Sequence, residues 1–361
     1  VSRRDRPDPS ELPAREAAER YLRRRRPDST DKSIKGWRYR LKLFVEWCES
    51  VGITEVGQLR GYDIDEYYEL RSSEIAPATL EGEMHTLRKF VEFLENIEAV
   101  DEDLHEKVRV PNLDPEDRTN DTKLATDDAL ALLEYYRNSE KDYGTRAHAY
   151  LELAWTTGAR QGGLRALDIR DVYLDDDPWI HFLHRPESGT PLKNKRAGQR
   201  PVVIPRETAE VLQTYIDDYR YDVHDESGRQ PLLASAAGRP TTNTIRVWSY
   251  MATQPCLHTV CPHGKERPTC GWVERNHASK CPSSRSPHQI RTGAITHMLN
   301  LGWPPEDVAE RVNAAVKTIE QHYDHADPRE RQRRLRDRME KRRRPLVEDL
   351  NPTDEIEERD Y

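Results

Sequence analysis

Between Asp31 and Ile53 apolar residues return every three or four positions. Ile34, Trp37, Leu41, Phe44 and Cys48 make one helical stripe, and Lys35, Arg38, Arg40 and Lys42 fall on the other side. A second stripe runs through "PATLEGEMHTLRKFVEFLENI", with Leu80, Met84, Leu87, Val91 and Leu94 on one face. Gly61-Tyr62-Asp63 and Ala76-Pro77 punctuate the pattern, since glycine, proline and short polar residues favour turns. Residues 11–110 are therefore predicted to form a helical domain. In "PNLDPEDRTNDT" the period disappears and Pro, Asp and Asn accumulate, which predicts a linker over 111–125. Thr126, followed by Asp127 and Asp128, predicts the capped start of the next helix.

From 126 to 330 the pattern is mixed. Helical segments surround a short β-like part made of "DVYLDDDPWIHFLHRP", "TPLKNK" and "RPVVIP". Arg196-Ala197-Gly198-Gln199 favours a turn, so a hairpin is expected between the last two pieces. Helices resume at "ETAEVLQTYIDDY", "EDVAERVN" and "VKTIEQHYDH". Residues 331–361 read as a basic helix, "RQRRLRDRMEKRRRP", followed by an acidic tail expected to be disordered. The fold class expected is mainly α with a small antiparallel β-sheet, in two domains. The length of 361 residues agrees, because single cores usually stop growing below it.

Composition changes this picture in two ways. Hydrophobic residues make up 35% and charged residues 34%, a lean but foldable balance given the periodic clusters. No signal-like or membrane-spanning run is legible, so the expectation is a cytoplasmic protein without membrane contact. The net charge of −8 argues at first against a polyanion partner. However, arginine outnumbers lysine, arginine is the better phosphate fork, and the acidic surplus sits in the linker and tail. An acidic, lysine-poor surface suits a halophile, and net charge alone does not name the partner.

Chemistry-bearing residues follow one another in a definite order. "TTGARQGGLRALDIRDV" gives Arg160, and "TPLKNKRAGQRPVVIP" gives Lys193 and Lys195. "SPHQIRTGAITHML" gives His288 and Arg291, and "VAERVNAAVKTIEQHYDH" gives Asn313 and Tyr323. This succession resembles the tyrosine recombinases of the phage-integrase and Xer type, in particular their archaeal, haloarchaeal-like members. The resemblance covers nearly the whole chain. It implies a helical core-binding (SAM-like) domain followed by an α+β catalytic domain. Two departures stand out: Gly162 and Gly163 occupy the place where the family carries an acidic residue. Asn313 stands where the family commonly has histidine or tryptophan.

The chemistry explains why these residue types belong together. Tyr323 is one of sixteen tyrosines, and the resemblance makes it the nucleophile. An unperturbed phenol ionises near ~10, so it needs help to attack at neutral pH. Arg160 and Arg291 would grip non-bridging phosphate oxygens with permanently charged forks. His288, one helical turn before Arg291, can exchange protons near neutrality. A lysine on a hairpin tip would protonate the departing 5′ oxygen; Lys193 and Lys195 are the two candidates, with Lys193 slightly favoured. An amide at Asn313 can bond a phosphate oxygen but cannot titrate, so a positional role is expected. The phosphotyrosyl bond stores the energy for religation, so no cofactor is expected for catalysis.

Five cysteines remain to be placed. Cys48 lies on an apolar stripe and is expected in a core. Cys256, Cys261, Cys270 and Cys281 fall in one segment with His258, His263 and His277 among them. In a chain without secretory signals, clustered thiols favour metal over disulfides. A structural zinc on this cysteine-rich insertion (256–281) is expected; unpaired thiols are the other reading, and histidines can replace some cysteines.

The partner expected from the resemblance is double-stranded DNA, gripped by a clamp of the two domains and exchanged within a tetramer on two sites. The basic stretches "YLRRRRP" and "RQRRLRDRMEKRRRP" fit phosphate contact, although a solvated helix face carries such charge equally well. A DNA-binding regulator that kept the fold but lost strand exchange is the rival from another class. A type IB-like topoisomerase would share the chemistry without a specific site.

Overall fold

The computed structural model describes residues 8–114 and 122–323, together with Gln332, Arg336, Met339 and Glu340. The chain divides into two compact units, Val1–Asn120 and Asp121–Tyr361. Residues 115–121 of the expected linker and most of the basic helix and acidic tail lie outside the described residues.

The first unit is built from four helices: α1 (Ala14–Arg25), α2 (Asp31–Ser50), α3 (Gly61–Glu74) and α4 (Pro77–Asn96). Both apolar stripes face its core. Ile34, Leu41, Phe44 and Cys48 are buried on α2, and Leu80, Met84, Leu87, Val91 and Leu94 on α4. Phe44 meets the ring of Tyr67 edge-on at 5.1 Å, and Tyr21 meets Phe90 at 5.8 Å. Such pairs add to simple area burial. Burial pushes the Cys48 thiol up to about 12, as an inert core residue requires. Arg71 on α3 forks onto Glu83 on α4 at 2.9 and 3.0 Å, tying the two helices across a nearly closed site. Arg40 departs from its expected polar face and donates to Thr86 Oγ1 at 3.1 Å. Within the basic run, Arg24 lies over Phe93 and Arg25 over Trp37, so part of that charge also packs on the domain's own rings.

The second unit surrounds α6 (Arg146–Thr157), which is buried on nearly every side. Around it lie α5 (Thr126–Asn138), α8 (Arg206–Thr214), α9 (Thr242–Ala252) and α10 (Pro287–Asn300). The short α7 (Gln161–Ala166) follows α6 directly, and α11 (Pro305–Val312) and α12 (Val316–Tyr323) close the described chain. Thr126 is the first residue of α5, not its cap; Ala125 holds the cap position and makes no side-chain bond. Asp127 and Asp128 do occupy the first turn, where the helix dipole favours them.

A three-stranded antiparallel sheet joins β1 (Val172–Tyr173), β2 (Trp179–Phe182) and β3 (Arg200–Val203) in that order. The fold is thus mainly α with a small antiparallel sheet. The hairpin expectation needs correcting. "RPVV" is a strand, but its partner is Trp179–Phe182, with Phe182 opposite Arg200. The segment with Lys193 and Lys195 belongs to the connection between β2 and β3. Its turn, Lys195–Gly198, is where the sequence places it. Pro201 sits on β3, an edge strand, where its missing N–H costs no ladder bond.

The root of the β2–β3 loop is fixed by a buried ion network. Asp168, 1% exposed, bonds Arg185 at 3.2 Å, Arg229 at 3.4 Å and Arg239 at shorter range. Arg185 also reaches Asp171, and Arg229 and Arg239 share Asp225. Arg229 further donates to Ser188 O and Thr190 Oγ1 within the loop. Among the described residues no helix is long and apolar enough to cross a membrane.

Candidate functional site

Two helix ends and one strand create the site. Gly158 ends α6 in the left-handed region at φ +56, and an added Cβ there would stand 2.9 Å from a methyl of Val312. The close approach brings the carbonyl end of α6 against the carbonyl end of α11. α11 begins on Pro304-Pro305 with Glu306 and Asp307 in its first turn, all favourable at a helix start. It stops because Asn313 turns left-handed (φ +52), a conformation asparagine tolerates better than most residues.

Three successive carbonyls at that end each hold a different arginine. Arg311 O accepts from Arg200 Nε at 2.6 Å, Val312 O from Arg291 Nη1 at 2.8 Å, and Asn313 O from Arg160 Nη1 at 2.5 Å. Arg291 also donates to Gly158 O at 2.6 Å, so it bridges both helix ends. Arg311 itself turns back onto Thr156 O at 2.9 Å and Val203 O at 2.9 Å. Helix C-termini carry partial negative charge, which is why guanidinium groups settle there. Among the described residues neither Arg200 nor Arg311 has a carboxylate partner. Burial first, then the charges of Arg291, Arg160 and Arg311, lower the Arg200 guanidinium to about 10. The result is a concentration of positive charge held by main-chain oxygens.

The sequence-derived residues fall as follows. Arg160 and Arg291 come together as expected. The carbonyl of Asn313 holds Arg160, with Gly162 and Gly163 standing where the family carries an acidic residue. Gly163 lies against the Phe182 ring, which a Cβ there would meet at 3.4 Å. His288 sits at the second position of α10, placed by the Ser286–Gln289 capping box. It is exposed whereas Arg291 is buried, so the two differ in access although one turn apart. Lys193 and Lys195 are both exposed in the β2–β3 loop. Tyr323 is the last residue of α12, a helix that packs on α10 and α11 through the buried Ile319; its side chain lies outside the described set.

Arg200 and Arg311 were not picked out from the sequence. Their signal is faint: an arginine opening a strand, and one in the last turn of an amphipathic helix. Arg200 also covers the ring of its cross-strand neighbour Phe182 at 4.5 Å.

The four clustered cysteines carry free thiols, and Cys281 is buried. The segment from Pro255 to Lys280 is a succession of short 3₁₀ turns. Cys256 Sγ accepts from Arg267 at 3.1 Å, and the His263 ring bonds Ser283 Oγ at 2.9 Å. Among the described residues no three His, Cys, Asp or Glu side chains are gathered as metal ligands. The approach to α10 is fixed instead by hydrogen bonds. Ser249 Oγ donates to Arg285 O at 2.8 Å, and Arg285 N donates to Thr253 Oγ1 at 2.7 Å.

The comparisons with known proteins bear on this geometry. The chain shares its fold with the Tn1549 transposon integrase solved in complex with a circular intermediate DNA. The match has a TM-score of 0.62 and 13% identity over 91% of this chain and 99% of that one. The architecture is therefore that of the tyrosine recombinase and integrase fold. In sequence, the chain is similar to the tyrosine recombinase XerC of Herpetosiphon aurantiacus. The two are 24% identical over 256 residues, 71% of this chain and 72% of the relative. Part of the chain is also similar to the N-terminal domain of a phage integrase/site-specific recombinase from Haloarcula marismortui. That likeness is 52% identical over 29% of this chain and all of that one, with a TM-score of 0.28. No family model matches the chain.

Proposed function

We propose that this chain is a site-specific DNA recombinase of the tyrosine type, cutting and rejoining duplex DNA through a 3′-phosphotyrosyl intermediate. The observation that carries the reading is the set of arginines held on three successive carbonyls beside a lysine-bearing loop. A cationic group whose orientation is fixed by main-chain oxygens is preorganised for a phosphate.

In this reading Arg160 and Arg291 grip the scissile phosphate. The phenolic oxygen of Tyr323 bonds to phosphorus and the bond to the 5′ oxygen breaks. That oxygen takes its proton from Lys193 or Lys195, while the phenol proton passes to His288. Religation reverses these steps with the 5′ hydroxyl of a second duplex, so the working form is a tetramer on two sites. The setting proposed is an archaeal cytoplasm, from the acidic, lysine-poor composition. A structural zinc on Cys256, Cys261, Cys270 and Cys281 is proposed from the donor types alone and enters no step.

The test starts from duplexes selected by the full chain out of a random-sequence pool. On a nicked suicide version of a selected site, the wild type accumulates a covalent adduct and Tyr323→Phe gives none. An adduct at wild-type level in that variant overturns the nucleophile. Site-specific binding with no adduct under any salt condition favours a DNA-binding regulator instead.

A further inference from the structure

Asn313 uses its main chain on Arg160, and its side chain has a separate task. Nδ2 donates to Ala197 O at 2.9 Å, and Oδ1 accepts from Asn194 Nδ2 at 2.5 Å. Both partners lie in the β2–β3 loop, on either side of Lys195. A third tie stands at the end of the same turn: Arg200 Nη1 donates to Gly198 O at 3.1 Å while its Nε holds Arg311 O. Gly198 lies beside the asparagine, close enough that a Cβ on it would stand 3.6 Å from Asn313 Oδ1. Within the turn, Lys195 itself is left-handed at φ +51, and its N–H closes on Leu192 O at 3.0 Å. A non-glycine residue in that conformation needs the surrounding contacts to hold it there.

We propose that Asn194 and Arg200 are positioning residues which, with the Asn313 amide, clasp the lysine loop to the helix end that holds the arginines. The clasp rests on the reading that Lys193 or Lys195 is the acid for the 5′ oxygen. Its role is geometric. The arginines and the lysine approach the phosphate from different elements, and proton transfer requires the ammonium within hydrogen-bond reach of the leaving oxygen. A loop free to swing would leave the phosphate gripped but its leaving group without a proton. In this arrangement Asn313 serves the loop with both ends of its amide. That is more specific than a phosphate contact, and it explains why a non-titrating residue suffices at 313.

Asn194→Asp probes the clasp at constant size. A carboxylate cannot donate to Asn313 Oδ1. Asn313 cannot turn its amide to help, because its oxygen would then face Ala197 O. The full-length variant is assayed on the selected nicked duplex carrying either oxygen or sulfur as the 5′ bridging atom at the scissile phosphate. A thiolate leaves without a proton, so the sulfur substrate bypasses the acid. Asn194→Asp and Arg200→Met are expected to slow cleavage of the oxygen substrate by at least about tenfold and to recover most of it with sulfur. Arg160→Ala stays slow on both. Hydrogen exchange in the full chain is expected to quicken across 192–199 in Asn194→Asp and nowhere else. Wild-type cleavage of the oxygen substrate, an equal loss on both substrates, or unchanged loop exchange each overturns the clasp. If Lys193→Ala or Lys195→Ala is rescued by sulfur but Asn194→Asp is not, only the positioning role fails. If neither lysine variant is rescued, the acid assignment falls and takes the clasp with it.

Discussion

Asp168→Asn removes the carboxylate on which Arg185, Arg229 and Arg239 meet, with nearly no change in volume. Breaking a buried ion pair typically costs ~3–5 kcal/mol, because the charge left behind is buried without compensation. Here the remaining contacts decide where in that range the cost falls. Arg185 keeps Asp171 at 2.8 Å, Arg239 keeps Asp225 at 2.7 Å, and Arg229 keeps Asp225 at 3.4 Å. No guanidinium is stranded, so the expected loss is at the low end, about 3 kcal/mol. For a unit of this size one kcal/mol moves the melting temperature by about 2–4 °C, giving a fall of about 6–12 °C. Calorimetry on the full chain reads this directly, as a shift of the transition belonging to the second unit. The loop rooted in the network should also exchange amide hydrogens faster around Ser188 and Thr190. A fall below about 2 °C would refute the reasoning, because Asp171 and Asp225 would then hold the three arginines without Asp168.

Other outcomes follow from single contacts. Gly293→Ala places a Cβ 2.1 Å from Leu124 O, against main chain that is itself bonded to Gln289 O, so a loss of about 3 kcal/mol is expected in chemical denaturation. Burial holds the His297 imidazole below its ordinary value of 6.5. Its folded form binds the proton less well than the unfolded chain. The stability gained from keeping it neutral is therefore complete above about pH 6.5 and is lost as pH falls through the folded value. His297→Phe should flatten that part of the melting-temperature profile, and an unchanged slope between pH 7 and 5 would discount the group. Elemental analysis of protein purified without chelator tests the cysteines. About one equivalent of zinc means that the segment draws its thiols together around the ion, and less than about half an equivalent removes the metal.

The two long helices of the first unit were legible because their stripes keep a helical period over twenty residues, long enough to fix which face is buried. The sheet was only half legible. "RPVV" reads as a strand through its β-branched pair, but "TPLKNK" also alternates, and nothing local says that its backbone turns instead of pairing. In the site, Arg160 and Arg291 stood out by their neighbours in sequence. Arg200 and Arg311 did not, since the partners that place them are main-chain oxygens, which no residue type advertises. Asn313 was found, but the loop that its amide bonds lies more than a hundred residues upstream, a contact visible only once the chain is folded. Thr126 shows a smaller failure of the same kind, a good capping residue displaced by one position.

The three carbonyls at the end of α11 also determine which kinds of change the site can absorb. Main-chain oxygens are indifferent to the side chains that carry them, so the solvent-facing positions of α11 are free to vary without disturbing the arginines. Length is another matter. Each residue advances a helix by about 100°, so deleting or inserting one between Pro305 and Val312 would swing all three oxygens to a different quarter of the helix and scatter Arg160, Arg200 and Arg291 together. Drift among related sequences should therefore show many substitutions in this helix and almost no gaps.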